Sequence, residues 1–118
     1  NIEPADIRHQ AVNVFQYDFA KDFWFGKPDT TNQAEVFIHR AESKDRALQL
    51  LSRILEEHQY EYQIIRKTEN LALLQHNFLK SYFIIALQDA FLFGADKTPD
   101  QDTSFQLLEM IGRALPNE

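Results

Sequence analysis

The sequence predicts an all-α domain, a four-helix bundle-like fold around a long antiparallel helical hairpin. Two observations favour this fold class. From residue 29 to residue 93 the chain contains neither glycine nor proline, the residues that most often form turns and end helices. The same stretch carries apolar residues at helical spacing on both sides of His58. Local strand-like patterns leave an alternative open, an α+β fold with strands near residues 35–40 and 60–75.

Helix-terminating and helix-starting residues set the expected boundaries. Pro4 suits the first turn of a helix, and Gly26 is placed to end that helix. Thr30 and Thr103 are each followed three residues later by glutamine, which is a capping-box form and marks a helix start. Gly94 is the expected C-cap of the third helix. The four helices are therefore expected at about residues 4–25, 30–58, 61–93 and 103–115.

The second and third helices carry the strongest periodic signal. Along the third helix, apolar residues recur at intervals of seven: Ile64, Leu71, Phe78, Ile85 and Leu92. If the chain folds back near His58, Leu55 faces Ile64 and Leu48 faces Leu71. Two apolar stripes that stay in register in this way predict an antiparallel helical hairpin.

The segment at residues 82–93 is apolar on all sides, with only Gln88 and Asp89 polar. A helix of this kind has to be buried on every side. Either the first and last helices cover it or a second subunit does. We favour a symmetric homodimer, with complete burial inside one chain as the alternative.

Composition indicates a single domain, residues 1–118, whose 44% hydrophobic content is enough for a core. The net charge is −6 and the twelve lysines and arginines are scattered, which argues against nucleic-acid binding and suits a basic protein partner. The absence of cysteine excludes disulfides and zinc–thiolate sites. With no recognisable leader and no apolar segment long enough for a bilayer, we expect a cytoplasmic protein without membrane contact.

No catalytic motif is present, and the three glycines are too far apart to form a phosphate-binding loop. We therefore expect neither an enzyme nor a bound cofactor. Glu35, His39 and Glu42 share one exposed face of the predicted second helix, at a spacing that metal ligands can have. Metal-binding bundles use inward-facing ligands from several helices, and this chain has no matching set, so no metal site is expected.

Three polar residues, Lys44, Gln75 and Asp89, interrupt the apolar stripes. In the predicted hairpin Gln75 faces Lys44, and Asp89 faces the positive end of the second helix. We expect these residues to form a buried polar layer that fixes the register of the hairpin. A polar pocket for a small ligand is the functional alternative.

The leading functional hypothesis is a non-catalytic protein–protein interaction or regulatory module that presents an aromatic surface. An inhibitor or immunity-type binder of a basic enzyme is one version of it. The alternatives are a ligand-sensing domain of a larger regulator and, third, an enzyme or metal-binding bundle. Tryptophan and phenylalanine are favoured interface anchors, with ordinary core packing as the competing explanation. The candidate partner-binding residues are Trp24, Phe25, Phe83, Phe91 and Phe93.

Overall fold

The computed structural model describes residues 7–28 and 34–115. Within these ranges the chain forms an α+β fold, with seven strands in one antiparallel sheet and two helices. The strands are β1 (Arg8–Gln10), β2 (Phe23–Gly26), β3 (Glu35–Arg40), β4 (Tyr62–Lys67), β5 (Leu71–His76), β6 (Tyr82–Gln88) and β7 (Phe91–Thr98). The helices are α1 (Lys44–His58) and α2 (Gln101–Ala114), and a short 3-10 turn occupies Val14–Gln16.

The sheet consists of two meanders that are joined in its middle. The strand order is β1-β2-β3-β7-β6-β5-β4. After β3 the chain crosses the sheet through α1 to reach the far edge at β4, and it then returns strand by strand until β7 pairs with β3. After β7 the chain turns back through α2, which packs on β7 and β6.

The two helices cover opposite faces of the sheet. Along β6, Phe83 and Ile85 pack in the cluster that contains α1, whereas Ile84 and Ala86 pack in the cluster that contains α2. Alternate residues of a strand point to opposite faces, so β6 is buried on both sides. The sequence of a strand in this position is apolar throughout and does not alternate between apolar and polar residues.

The all-α prediction is therefore wrong, and the segment at residues 82–93 shows why. It is buried on both sides, but as two strands and not as a helix. Both faces are covered by this chain's own α1 and α2, so the reason for inferring a homodimer no longer holds. The alternative fold was the better one, because β3 and the β4–β5 pair occupy the regions where it placed strands.

The absence of glycine and proline did not exclude hairpins, because other residues form the turns. Lys80 follows β5 with φ of 62°, and Asp89 lies between β6 and β7 with φ of 53°. Both have the left-handed conformation that glycine usually supplies. In the β5–β6 turn, the ring Nδ1 of His76 accepts hydrogen bonds from the backbone N–H groups of Phe78 and Leu79, at 3.2 and 3.1 Å.

The predicted second helix is correct only in its second half. The side chain of Ser43 accepts a hydrogen bond from the backbone N–H of Arg46 at 3.1 Å, which makes Ser43 the N-cap of α1. The residues before it form β3. The expected capping box at Thr30 and Gln33 lies outside the described residues.

The predicted first and fourth helices have opposite outcomes. Of the range 4–25, residues 4–6 lie outside the described residues, and the remainder forms β1, the 3-10 turn and most of β2. The fourth helix is confirmed as α2, which begins at Gln101. Its N-cap is Asp100, whose carboxylate accepts a hydrogen bond from the backbone N–H of Thr103 at 2.7 Å. Among the described residues, neither helix has the length and apolar character needed to cross a lipid bilayer.

Gly94 does not end a helix but lies in the centre of the sheet, where β7 passes close to β6. It pairs with Ile85, and a Cβ atom added to it would lie 1.9 Å from the carbonyl oxygen of Ile84. This contact is with backbone, so no side-chain movement can relieve it. Only glycine allows the two strands to approach this closely.

We expect Gly94→Ala to lower the free energy of unfolding by roughly 3 kcal/mol or more, because the new methyl group would force β6 and β7 apart. Gly112 provides a matched control on α2, where an added Cβ meets the Phe93 ring at an ordinary 3.6 Å. Gly112→Ala should raise stability by about 0.5–1 kcal/mol, since alanine is the better helix former. Urea denaturation of both variants measures these changes. A Gly94→Ala variant as stable as the parent would contradict the β6–β7 register.

Candidate functional site

An apolar groove of about 250 Å³ opens on the α2 face of the sheet, and we call it the Trp24 groove. It lies beside α2, because α2 packs on β6 and β7 and, in the described part of the chain, no helix covers the adjoining surface of β2 and β3. Every described residue that lines it is apolar. These residues are Ile7, Trp24, Phe25, Gly26, Val36, Phe37, Ile38, Met110, Ile111 and Ala114.

Trp24 is held in this groove by the pairing of three strands. On β2 it lies between His9 of β1 and Ile38 of β3, and its ring contacts the His9 ring with 4.7 Å between centroids. The Trp24 side chain is nevertheless 52% exposed, and Ile7 and Met110 in the same groove are also exposed. A single exposed apolar residue is common on protein surfaces, but a contiguous group around a concave surface makes this groove a candidate site of interaction.

The structure brings two of the five predicted partner-binding residues to this groove. Trp24 and Phe25 both line it, although Phe25 is only 5% exposed. The other three are buried within the chain. Phe83 stacks on Phe37, and Phe91 and Phe93 lie in the cluster beneath α2. For these three, ordinary core packing accounts for their positions, because the segment that contains them is sheet.

The predicted buried polar layer does not form. Lys44 at the start of α1 and Asp89 in the β6–β7 turn are exposed. Gln75 on β5 is half-buried, and its side-chain amide donates a hydrogen bond to the carbonyl of Lys80 at 3.1 Å. The layer depended on a helical hairpin, and the register that would have joined these residues does not exist.

The trio Glu35, His39 and Glu42 is also separated by the true fold. Glu35 forms an ion pair with Arg8 at 3.3 Å, and the ring Nδ1 of His39 lies 3.1 Å from the carbonyl oxygen of Asp22. Within residues 7–28 and 34–115, no group of three histidine, aspartate or glutamate side chains is arranged to hold a metal ion.

A second cleft, of about 320 Å³, lies where the end of α1, the 3-10 turn and the ends of three strands meet, and we call it the Tyr17 cleft. Unlike the groove, it combines aromatic and ionisable side chains. The residues that line it are Phe15, Gln16, Tyr17, His58, Glu61, Tyr62, His76, Leu79, Ser81, Asp96 and Lys97.

A hydrogen-bonded pair lies at the base of this cleft. The Tyr17 hydroxyl and the ring Nδ1 of His58 are 2.6 Å apart, and the Tyr62 ring stacks on His58 with 4.8 Å between centroids. Burial lowers the pKa of His58 to about 4. Burial raises the pKa of Tyr17 to about 12, and the charges of Glu57 and Glu61 add to this rise. Both members of the pair are therefore uncharged at neutral pH.

Asp96 supplies a carboxyl group at the end of β7. Burial raises its pKa to about 6, against the lowering effect of the Lys97 backbone N–H, which donates a hydrogen bond to the carboxyl at 2.8 Å. Burial also raises the pKa of Tyr62, and the charge of Asp96 raises it further. A carboxyl group with this pKa can accept a proton near neutrality. In the described residues, however, no serine or threonine hydroxyl is hydrogen-bonded to His58 or His76, so no nucleophile–base pair accompanies it.

The backbone beside the cleft is strained. Asn13, Phe15 and Gln16 have φ of 55°, 55° and 69°, in the left-handed region that costs non-glycine residues on the order of 1 kcal/mol or more each. The Phe15 ring offsets this cost through edge-on packing in the core, for example on Phe37 at 5.1 Å. This strained turn places the Tyr17 hydroxyl within hydrogen-bond distance of His58.

Sequence reasoning missed the cleft. Tyr17, His58, Tyr62 and Asp96 come from four separate parts of the chain, and no local spacing relates them. In the predicted bundle His58 lies at the end of the second helix, and Asp96 lies between the third and fourth helices. Comparison with protein-family models, curated proteins and solved structures found no match to this chain. Function therefore has to be inferred from the geometry of the groove and the cleft.

The two buried ionisable groups have opposite effects on stability between pH 4 and pH 6. His58 has a folded pKa of about 4 against a usual 6.5, so below pH 6.5 the unfolded chain binds a proton that the folded protein does not. Its contribution to stability is complete above pH 6.5 and is lost as the pH falls. Asp96 has a folded pKa of about 6 against a usual 3.8, so its contribution is present at low pH and is lost as the pH rises.

Asp96→Asn should therefore make the free energy of unfolding fall more steeply on acidification from pH 6 to pH 4. His58→Gln should make it fall less steeply than in the parent. Each change in slope can reach at most about 1.4 kcal/mol per pH unit, the value for one proton. Urea denaturation at a series of pH values measures the slopes. Identical slopes in the parent and both variants would contradict the burial of these groups.

Proposed function

We propose that this protein is a non-catalytic binding module that docks an apolar segment of a partner protein in the Trp24 groove. The observation that carries this proposal is an open groove whose lining residues, in the part of the chain that the structure describes, are all apolar, with a half-exposed tryptophan among them. Tryptophan is among the residues most enriched at the energetic centres of interfaces. Leaving such a surface in water is unfavourable, and covering it provides the free energy of docking.

The dimensions of the groove favour a protein segment over a small molecule. Pockets for small molecules usually enclose about 300–1,000 Å³ and contain a few polar groups that orient the ligand. The Trp24 groove has about 250 Å³, and none of the lining residues within 7–28 and 34–115 is polar. Two or three apolar side chains from one face of a helix or strand would fill it, while the rest of the partner contacts its margins.

The net charge of this chain indicates a second property of the proposed partner. Among the described residues none that lines the groove is ionisable, so specificity has to come from the surrounding surface. The chain has a net charge of −6, which attracts a basic partner over distances of about 10 Å in physiological salt. A basic protein with an exposed apolar segment is the proposed partner, and inhibition of a basic enzyme is one form that the function can take.

Photocrosslinking from the groove tests this proposal. A photoreactive amino acid in place of Met110, irradiated in an extract of the cells that produce the protein, should attach covalently to the partner. The same group in place of Phe78, which is 85% exposed and does not line the groove, is the matched control and should not capture that protein. A second copy of this chain at Met110 would identify self-association as the interaction and overturn the proposed heterologous partner.

Binding to the captured partner should depend on Trp24. We expect Trp24→Ala to weaken the affinity by roughly tenfold or more, as removal of an interface anchor does, and Phe78→Ala to leave the affinity unchanged. Titration calorimetry measures both. Trp24 is the chain's only tryptophan, so its emission should shift to shorter wavelength as the partner covers it. If the emission of the parent protein does not shift and Trp24→Ala binds with the parent's affinity, the partner binds elsewhere.

A further inference from the structure

The Tyr17 cleft is distinct from the groove and has a composition of its own. Its walls are aromatic rings, with Tyr62 in the middle. The Tyr62 ring stacks on His58 at an interplanar angle of 15° and meets the ring of His76 edge-on, with 5.0 Å between centroids. Phe15 and Tyr17 add two more rings to the lining. The faces of tyrosine and phenylalanine rings attract cations, because their π-electron clouds are negative.

Carboxylates make the same cleft electrostatically negative. The charges of Glu57 and Glu61 both act on Tyr17, and those of Asp96 and Glu61 both act on Tyr62, in each case raising the pKa of the tyrosine. Three carboxylates therefore influence the hydroxyl groups of this small space. Glu61 and Asp96 are themselves part of its lining.

The positive groups of the cleft do not neutralise it. His58 is uncharged at neutral pH because it is buried. The Nδ1 atom of His76 accepts hydrogen bonds from two backbone N–H groups, and within the described residues its ring forms no ion pair with a carboxylate, although the charge of His76 lowers the pKa of Asp96. The side chain of Lys97 lowers the pKa of Asp96 by its charge, but among the described residues Asp96 forms no ion pair. A half-buried carboxylate that forms no ion pair is a place where a ligand cation gains affinity.

We propose that the Tyr17 cleft binds an organic ammonium ion, with the cationic head against the aromatic rings of Tyr17 and Tyr62 and beside the carboxylate of Asp96. The volume of about 320 Å³ accommodates a trimethylammonium group together with a short chain. Leu79 lines the cleft and is 71% exposed, so it provides apolar surface for the alkyl part of the ligand. Poorly hydrated organic cations suit such a site, since aromatic faces replace their water at little cost.

Choline and 3,3-dimethylbutan-1-ol are the probes that test charge recognition, because they share size and shape and differ in the positive charge. Binding to the full chain is followed by NMR, through the ring resonances of Tyr62 and His76. We expect saturable shifts with choline at concentrations up to about 10 mM, and at least tenfold weaker binding of the neutral alcohol, as expected for a cation–π and ion-pair site. The proposal is overturned if both probes bind equally well. It is also overturned if neither choline nor a peptide containing trimethyllysine gives a saturable shift.

A short peptide containing trimethyllysine is the second arm, and it distinguishes the source of the cation. If the peptide binds at least tenfold more tightly than choline, the ligand is a side chain of another protein. If choline binds as tightly as the peptide, the ligand is a free small molecule. Both results support an ammonium site, and a failure of partner capture at the Trp24 groove would leave them unaffected.

Variants identify the groups responsible. Asp96→Asn should weaken choline binding roughly tenfold, and it removes a buried charge without changing shape, so the fold should persist. Tyr62→Leu should weaken binding by a similar factor, whereas Tyr62→Phe keeps the ring face and should retain most of it. Trp24→Ala, in the groove, is the control and should bind as the parent does. If Tyr62→Phe loses as much affinity as Tyr62→Leu, or Asp96→Asn loses none, the proposed recognition is wrong.

Discussion

The pairing of β3 with β7 is the contact on which the rest of the structure depends. It joins two meanders that each pair strands close in sequence, and it runs in register from Glu35 opposite Asp96 to Arg40 opposite Phe91. Bringing together segments so far apart in the chain costs loop-closure entropy, and burial of apolar surface has to offset that cost. Both candidate sites follow from this pairing. It places β2 and β3 beyond the edge of α2, where the Trp24 groove opens, and it sets Asp96 at the end of β7 where the Tyr17 cleft lies.

Burial on both faces explains why the sequence was read as helical. A strand in the middle of a covered sheet and a helix in the middle of a bundle both become apolar throughout, and periodicity then no longer distinguishes them. The seven-residue ladder combined residues with different surroundings, for Ile64 and Phe78 are exposed and Ile85 is buried. The hairpin turns also lack the glycine that would have indicated them in the sequence, because Lys80 and Asp89 adopt the left-handed backbone conformation that glycine usually supplies. Ser43 was the local clue to a helix start, and α2 was predictable because a polar loop with Pro99 precedes it.

The sites differ in how far sequence could reveal them. Trp24 could be singled out because tryptophan is a favoured interface anchor, and the structure shows it half-exposed in an apolar groove. The Tyr17 cleft could not be found in this way. The crossover through α1 carries His58 to the 3-10 turn, and the β4–β7 meander brings Asp96 to the same end of the sheet. Pairing between distant strands brings the residues of the Tyr17 cleft together, so no spacing along the chain predicts this cluster.

The groove and the cleft lie on opposite faces of the sheet, and β3 lies between them. Phe37 of β3 borders the groove, but its ring belongs to the cluster on the α1 face, where it stacks on Phe83 with 5.5 Å between centroids, and the Phe83 ring lies 4.4 Å from that of His58 in the cleft. Phe37 and Phe83 are almost completely buried, and close packing of this kind favours one arrangement of the side chains. Transmission between sites requires an element with two states. The close packing of these rings therefore predicts that the two proposed sites keep their shapes independently of each other.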